Sequence, residues 1–190
     1  MFNFDGNIKF INVDTQYLKA LHDACDEVFF SNKNYDNKPY IGILLNSNGR
    51  KYVIPLTSAK PKHIKWPNVS QDRMLIYEIV NASRITKDDI YVVDPSGNVK
   101  HILSAIDIKK MIPIKDGVYS FVNINYSPTD TADEKKYKDL LNKEYAFCVK
   151  IANSLLSKAN KIYNKQISTG KIINFCCDFI ALEEACDKYK

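Results

Sequence analysis

The residues with the clearest chemical potential in this sequence lie between Thr57 and Trp66. These ten positions contain two hydroxyls, three lysines, one histidine and the only tryptophan of the chain: Thr57, Ser58, Lys60, Lys62, His63, Lys65 and Trp66. Hydroxyls and turn amides can hold a phosphate, lysines neutralise its charge, and an indole ring offers a stacking surface for a base. The segment is therefore predicted to bind RNA through Lys62, His63, Lys65 and Trp66.

Cleavage of RNA could use the same segment. RNA carries its own nucleophile, the 2′-OH beside each phosphate. A protein needs only to align this oxygen, help remove its proton, stabilise the phosphorane and protonate the leaving 5′ oxygen. Lys60 is suited to charge stabilisation or proton donation, while Thr57 and Ser58 are suited to positioning the phosphate. The hypothesis is a metal-independent endoribonuclease with Thr57, Ser58 and Lys60 as its catalytic residues.

Other interpretations of the segment stay open on spacing alone. A Thr-Ser pair after a strand is commonly a turn or a helix cap, and a basic loop is commonly a solvated surface. A non-catalytic RNA-binding regulator would use the same groups without cleavage, and a phosphate-ester hydrolase would act on small nucleotides. Ser58 as an acyl-transfer nucleophile would need His63 as its base, and no acid is clearly placed to orient that imidazole.

Charge and motif content narrow the function further. Lys and Arg number 27 against 22 Asp and Glu, which gives a net charge of +5. Nearly all of this positive charge is lysine, a point charge that suits a phosphate backbone. The sequence contains no GxxxxGK[ST], GxGxxG, HExxH or GxSxG motif. ATP hydrolysis, dinucleotide redox chemistry and serine-hydrolase chemistry therefore lack their usual signatures.

Cysteine and histidine usage argues against a metal site. The five cysteines are odd in number and contain no CxxC pair, which indicates free thiols in a reducing cytoplasm. His22, His63 and His101 are far apart and lack metal-ligand spacing. The sequence shows neither a signal peptide nor an apolar run long enough for a membrane span. The expectation is a cytoplasmic protein with no metal and no other cofactor.

The first half of the chain is dominated by strand patterns. Residues 8–13 are predicted to form a strand, and Asp14 or Thr15 should cap a helix that presents Leu18, Leu21 and Cys25 on one face. A polar loop over 31–38 should follow.

An Asn-Gly turn then separates two apolar runs, which predicts a hairpin of strands over 40–45 and 51–56. Its second strand should deliver Thr57 to Lys60 at its carboxyl end. Residues 60–67 contain two prolines and are predicted to be a loop.

The later part of the chain changes from strand to helix periodicity. Strands are predicted over 74–80, 90–93, 99–103 and, as the last one, 110–114. A helix is predicted from residue 133 to about 159, with its extension through 163 left open, and a closing helix over 178–189. The sequence therefore predicts one α+β domain over residues 1–190, with a helical C-terminal third.

Four short stretches, in this order, resemble the ToxN/AbiQ family of type III toxin–antitoxin endoribonucleases. They are KPYIGI at 38–43, PLTSAK at 55–60, MIPI at 111–114, and CCDF at 176–179 with LEE at 182–184. The resemblance spans nearly the whole chain, from Tyr17 to Tyr189. Ala59 departs from the pattern, since relatives often have proline there.

The resemblance implies a strongly twisted antiparallel sheet flanked by helices, similar to the MazF/Kid toxins. It implies sequence-selective RNA cleavage that leaves a 2′,3′-cyclic phosphate and a 5′-hydroxyl. It also implies a small structured antitoxin RNA made from tandem repeats, which the toxin processes and which then inhibits it in a closed protein–RNA assembly. The wider role would be growth arrest and abortive infection by phage.

The resemblance carries over to particular residues unevenly. Thr57, Ser58 and Lys60 match the family's catalytic motif. Tyr17 matches a tyrosine near the active site, while Tyr35 and Lys38 lie where the family has a basic, tyrosine-containing RNA-binding loop. These three residues join the predicted RNA-binding set.

Overall fold

A hairpin of two strands, β3 (Tyr40–Leu45) and β4 (Lys51–Ser58), lies at the centre of the sheet. The computed structural model describes residues 1–4, 6–30, 39–45, 48–87, 89–93 and 95–190, so the predicted loop over 31–38 lies outside the described residues. The strands pair antiparallel, with Leu45 opposite Lys51 and Tyr40 opposite Pro55. The predicted hairpin is confirmed, and β4 continues through Ser58.

Seven more strands complete the sheet within the described residues. They are β1 (Asn3–Phe4), β2 (Phe10–Val13), β5 (Arg73–Val80), β6 (Ile90–Val93), β7 (Val99–Asp107), β8 (Ile112–Ile114) and β9 (Tyr119–Phe121). Their order is β5-β7-β4-β3-β2-β9, with β1 on β3, β6 on β7 and β8 on β4. Every ladder between these strands is antiparallel, so the predicted α+β class with an antiparallel sheet is confirmed.

The prediction that residues 110–114 form the last strand is wrong. Strand β9 follows β8 and pairs with β2, with Tyr119 opposite Val13. It has only three residues, of which two are exposed. So short a segment shows no alternation of buried and exposed positions from which a strand could be predicted.

One edge of β4 is shared between two partners. Residues Lys51–Val53 pair with β8, and residues Leu56–Ser58 pair with β7. Pro55 lies in the gap between the two pairings. Proline has no N–H to donate to a neighbouring strand. In this unpaired gap its presence therefore costs the sheet no hydrogen bond. The change of partner therefore brings the end of β4 against the end of β7.

Three helices cover the sheet in the described chain: α1 (Thr15–Ala24), α2 (Ala132–Thr169) and α3 (Phe179–Lys188). The Asp14 carboxylate accepts a hydrogen bond from the Tyr17 N–H, which confirms the predicted cap of α1. Leu18 and Leu21 are buried as predicted, whereas Cys25 follows the helix and is half-buried. None of the described helices is long and apolar enough to cross a membrane.

Helix α2 is continuous over 38 residues, which settles the open question of its extension. It begins with a capping box between Thr131 and Glu134 and ends at Gly170, whose φ of 65° is left-handed. Glycine accepts this conformation without steric strain, so it terminates the helix, about ten residues beyond the predicted end near residue 159.

A buried glutamine joins α2 to the start of α3. The Gln166 Nε2 donates to the Cys177 carbonyl at 3.0 Å, and the Gln166 Oε1 accepts from the Phe179 N–H at 2.6 Å. Only 1% of Gln166 is exposed, so water cannot replace these partners. The side chain satisfies two backbone groups that the turn into α3 leaves without a helical partner.

We expect Gln166→Leu to lower the free energy of unfolding by about 2–4 kcal/mol, because it leaves two buried backbone groups unpaired. The measurement is urea unfolding followed by circular dichroism. Asn164→Leu is the control at an exposed position of the same helix, and we expect a change below about 0.5 kcal/mol. Equal effects of the two substitutions would contradict the role of Gln166.

Candidate active site

The end of β4 forms one wall of a cavity of about 410 Å³. Thr57 and Ser58 are the last residues of the strand, opposite Ala105 and Ser104 of β7, and both are half-buried. The Thr57 Oγ1 lies 3.5 Å from the Ala105 carbonyl oxygen, a distance at the limit of a hydrogen bond. Thr57, Ser58 and Lys60 all line this cavity, so the structure brings the three predicted catalytic residues together.

Lys60 is positioned by His63. The predicted loop after Lys60 is a 3-10 helix (Pro61–Lys65). The Lys60 N–H donates to the His63 Nδ1 at 3.1 Å, and the His63 N–H donates to the Lys60 carbonyl at 2.8 Å. These reciprocal bonds define the backbone at Lys60, while its side chain is exposed.

The prediction that His63 contacts RNA is wrong for a direct contact, because only 1% of the residue is exposed. Burial, followed by the charges of Lys62, Lys60 and Arg73, lowers the pKa of His63 to about 4. The ring is therefore neutral near pH 7, as its Nδ1 acceptor role requires. With Nδ1 occupied by the Lys60 N–H, the geometry does not support His63 as a base for a Ser58 nucleophile.

Trp66 is half-buried and packs against a small apolar cluster between β5 and β7. Its ring centroid lies 4.4 Å from that of His63 and 4.2 Å from the Arg73 guanidinium. The Lys62 ammonium lies 5.5 Å from the centroid of the same ring. Lys65, the residue before Trp66, is exposed. These contacts crowd the indole, so stacking of a base on it stays a prediction.

The prediction that Tyr17 contacts RNA is wrong in this structure. Its side chain is 0% exposed, and its hydroxyl donates to the Pro113 carbonyl at 2.8 Å. The ring packs edge-on against Tyr189, with centroids 5.0 Å apart. Tyr17 therefore ties α1 to β8 and the C-terminus. The two RNA-binding residues predicted in the loop over 31–38, Tyr35 and Lys38, lie outside the described residues.

The structure adds charged and polar groups that the sequence patterns missed. His22, Glu27, Asp107 and Lys110 also line the cavity. The His22 Nδ1 lies 2.7 Å from the Val28 carbonyl, so it donates its proton there and leaves Nε2 as an acceptor. Lys110 forms an ion pair with Glu27. These residues come from two parts of the chain, 22–27 and 107–110, both distant from residues 57–60, so no sequence spacing could have grouped them with the predicted catalytic residues.

Asp107 is a carboxyl that the cavity holds in an unfavourable environment. Its Oδ1 is buried and has no hydrogen-bond donor among the described residues. Burial raises the pKa of Asp107 to about 6, and the nearby Lys109, Lys110 and Arg73 only partly oppose this rise, while Asp72 adds to it. The folded protein therefore binds the Asp107 proton more tightly than the unfolded chain does.

This difference predicts a pH-dependent loss of stability. Because the folded pKa of Asp107 lies above the unfolded value, stability falls as pH rises from about 4 to about 6 and stays lower above that range. Asp107→Asn removes the charge, so we expect it to raise the free energy of unfolding by about 2 kcal/mol at pH 7.5. At pH 4 it should change little.

The matched control is Asp116→Asn, at an exposed carboxylate that pairs with Lys51 at 2.5 Å. Its pKa is lowered, first by the hydrogen bond from Lys51, so its substitution should not stabilise the protein at any pH. Urea unfolding at both pH values gives the comparison. If Asp107→Asn left the free energy of unfolding unchanged at pH 7.5, the Asp107 carboxyl would be well solvated in the folded protein.

A second cavity, of about 950 Å³, lies on the other side of the 58–61 segment. Ser58 belongs to both linings, and the second cavity adds the lysines Lys87, Lys136 and Lys143 together with Tyr137. Three aspartates also line it, so its charge is mixed. Within the described residues, no group of three or more His, Cys, Asp or Glu side chains is arranged to hold a metal ion.

Comparison with known proteins assigns the family. The family described as "Toxin ToxN, type III toxin-antitoxin system" matches residues 9–187. The chain belongs to the ToxN family. It is 26% identical to Endoribonuclease ToxN of Bacillus thuringiensis subsp. kurstaki, over 97% of this chain and 85% of the relative. It is 28% identical to Endoribonuclease ToxN of Pectobacterium atrosepticum, over 93% and 91% of the two chains.

Solved structures agree with the ToxN assignment. A toxin of a type III system that is selectively inhibited by a non-coding RNA pseudoknot has a TM-score of 0.69 and 25% identity, with 96% of this chain and 98% of that chain covered. The lactococcal anti-phage endoribonuclease AbiQ has a TM-score of 0.66 at 20% identity, over 96% and 97% of the chains, and shows the shared fold.

Proposed function

We propose that this ToxN-family chain is a sequence-selective endoribonuclease toxin of a type III toxin–antitoxin system. The observation that carries the proposal is the convergence of Thr57, Ser58 and Lys60 in one cavity at the end of β4. The two ToxN relatives are named endoribonucleases, which supports RNA as the substrate. The pairing of Ser58 with His63 as a serine-hydrolase base is not supported, because the His63 Nδ1 already accepts the Lys60 N–H.

The proposed reaction is an internal transesterification of RNA. The 2′-OH attacks the adjacent phosphorus, the bond to the 5′ oxygen breaks, and the products are a 2′,3′-cyclic phosphate and a 5′-hydroxyl. Thr57 and Ser58 position the phosphate, and the Lys60 ammonium stabilises the charge that develops on the phosphorane or protonates the leaving oxygen. This chemistry uses the nucleophile of the substrate and is proposed to be metal-independent.

The antitoxin is proposed to be a small structured RNA cut from a transcript of tandem repeats. The toxin processes these repeats, remains bound to its product and is inhibited in a closed protein–RNA assembly. Inhibition of a similar toxin by a non-coding RNA pseudoknot supports this partner. Release of the toxin onto cellular or phage RNA would arrest growth and abort infection, consistent with a related structure described as part of an antiviral system regulated by a processed non-coding RNA.

RNA incubated with the purified protein in EDTA tests the function. We expect discrete fragments with cyclic phosphate ends, and no cleavage where a 2′-deoxynucleotide replaces the nucleotide before the cut. Bound but intact RNA would favour the alternative, a non-catalytic RNA-binding regulator. Cleavage that persists at the deoxynucleotide would exclude the 2′-OH mechanism.

We expect Lys60→Ala to reduce cleavage by about a hundredfold or more, because it removes the positive charge at the phosphorane. Folding should be unchanged, since the Lys60 side chain is exposed. Single-turnover cleavage of a labelled RNA gives the rate. Lys161→Ala, at an exposed position of α2, is the matched control and should cleave normally. Full activity of Lys60→Ala would place the chemistry elsewhere.

Lys62→Ala and Lys65→Ala should weaken RNA binding rather than the chemical step. Both side chains are exposed beside the cavity segment, where they can neutralise backbone phosphates. Each substitution should reduce the slope of log K against log salt concentration by about one. Affinity for a single RNA repeat, measured from 50 to 300 mM salt (a range of about sixfold), provides the test. An unchanged slope would exclude that lysine from the interface.

A further inference from the structure

Three cysteines meet where the end of α1 reaches the start of α3. Cys25 follows the last residue of α1, while Cys176 and Cys177 precede Asp178, the residue that caps α3. The Asp178 N–H donates to the Cys25 sulfur, with a nitrogen–sulfur distance of 3.4 Å. Cys177 directly precedes Asp178, and its thiol is the largest influence on the pKa of the Cys25 thiol. The Cys25 sulfur is thus an acceptor at the N-terminus of a helix.

This environment favours the thiolate form of Cys25. The hydrogen bond from Cys177 is the largest influence and, together with backbone N–H donors of Asp178 and Glu27, outweighs burial. The pKa of Cys25 is lowered to about 6. Among the surrounding charges, Asp26 opposes the thiolate. Because Cys177 keeps its proton to make the hydrogen bond, its pKa is raised.

Access to the two sulfurs differs. Cys25 is partly exposed and lines a surface cleft with residues 172–176. Cys177 is 0% exposed, so a dissolved oxidant reaches it only through its neighbour. A low-pKa, accessible thiol beside a shielded partner is the arrangement of a reactive cysteine with a resolving cysteine.

We propose that Cys25 and Cys177 form a peroxide-reactive thiol pair that closes to an intramolecular disulfide. This inference does not depend on RNA cleavage. It rests on the Asp178 N–H bond to the Cys25 sulfur, on the position of Cys177 next to Asp178 and on the difference in exposure of the two thiols. It assigns Cys25 as the attacking thiolate and Cys177 as the resolving thiol.

Hydrogen peroxide supplies the two oxidising equivalents. The Cys25 thiolate attacks one peroxide oxygen, the O–O bond breaks, and the released hydroxide takes up a proton to become water. Cys25 is now a sulfenic acid. The Cys177 sulfur then loses its proton and attacks the Cys25 sulfur, the S–O bond breaks, and the hydroxide leaves as a second water. In total, two thiols and one peroxide give one disulfide and two waters.

Cys176 is the adjacent thiol and the natural competitor. Its sulfur donates to the Lys109 carbonyl at 3.3 Å and lies 4.0 Å from the Gln166 Nε2. It is therefore engaged away from Cys25. Cys148 and Cys186 are both buried, and burial raises the pKa of Cys148 above its usual range.

Both cysteines are connected to residues that line the candidate active site. Cys25 is followed by Asp26 and Glu27, both in the cavity lining, and the Cys177 N–H donates to the Lys109 carbonyl at 3.0 Å. Lys110, the next residue, forms the ion pair with Glu27 across the cavity wall. A disulfide would connect the segment that carries Glu27 to Cys177, whose N–H donates to the carbonyl of the residue before Lys110.

The full chain treated with a small excess of hydrogen peroxide at pH 7 tests the pair. We expect a mass loss of two hydrogens and, after digestion, a disulfide-linked peptide joining Cys25 to Cys177. Cys177→Ser should instead accumulate a sulfenic acid on Cys25, trapped with dimedone. Cys176→Ser, the matched control one residue away, should still form the disulfide. Cys25→Ser should form neither product.

The pH dependence of Cys25 alkylation by iodoacetamide gives a second measurement that needs no oxidant. We expect a midpoint near pH 6 in the wild type and a higher one in Cys177→Ala, because alanine has no proton to donate to the Cys25 sulfur. A midpoint near the ordinary cysteine pKa of about 8.5, or a cross-link to Cys176 in place of Cys177, would overturn the proposal.

Discussion

The change of partner along one edge of β4 is the constraint on which the rest of the structure depends. The strand pairs with β8 near its start and with β7 near its end, and Pro55 lies between the two pairings. If β4 paired with β8 along this whole edge, its end would not lie beside the end of β7. Here their meeting places Thr57 and Ser58 beside Asp107 and forms the cavity wall.

The basic segment after β4 divides its residues between structure and surface. His63 and Trp66 face inward, where the imidazole accepts a backbone hydrogen bond from Lys60 and the indole covers the apolar cluster of β5 and β7. Lys60, Lys62 and Lys65 face outward. A buried, neutral imidazole costs less to desolvate than a charged one, and the nearby cations keep it neutral. His63 and Trp66 thus anchor the segment in the fold, and the three lysines supply its positive charge at the surface.

The junction of α1 with α3 serves both packing and chemistry. Gln166 satisfies the backbone on one side of Cys177, and the Asp178 N–H meets the Cys25 sulfur on the other. Because these bonds are buried or half-buried, the junction holds the loop that follows α1 in one place. That loop supplies Glu27, which pairs with Lys110 in the cavity. The position of the cavity wall therefore depends on contacts made well behind it.

Local sequence determined those features whose cause is local. The Asn-Gly turn and the capping Asp14 each act within a few residues, and the hairpin and the start of α1 that they delimit were predictable. The segment with Thr57, Ser58 and Lys60 could be identified because its chemistry is contiguous in the chain. Its assignment to a family came from four short motifs in order.

Tertiary structure alone decided which side chains face the cavity. Tyr17 and His63 looked available for RNA in the sequence, yet both are buried, because exposure depends on what packs over a residue from distant segments. His22, Asp107 and Lys110 enter the cavity from α1, β7 and the turn after it. The hydrogen bond from the Asp178 N–H to the Cys25 sulfur likewise joins residues that are far apart in the chain. Long-range pairing, which no local pattern encodes, brings these groups together.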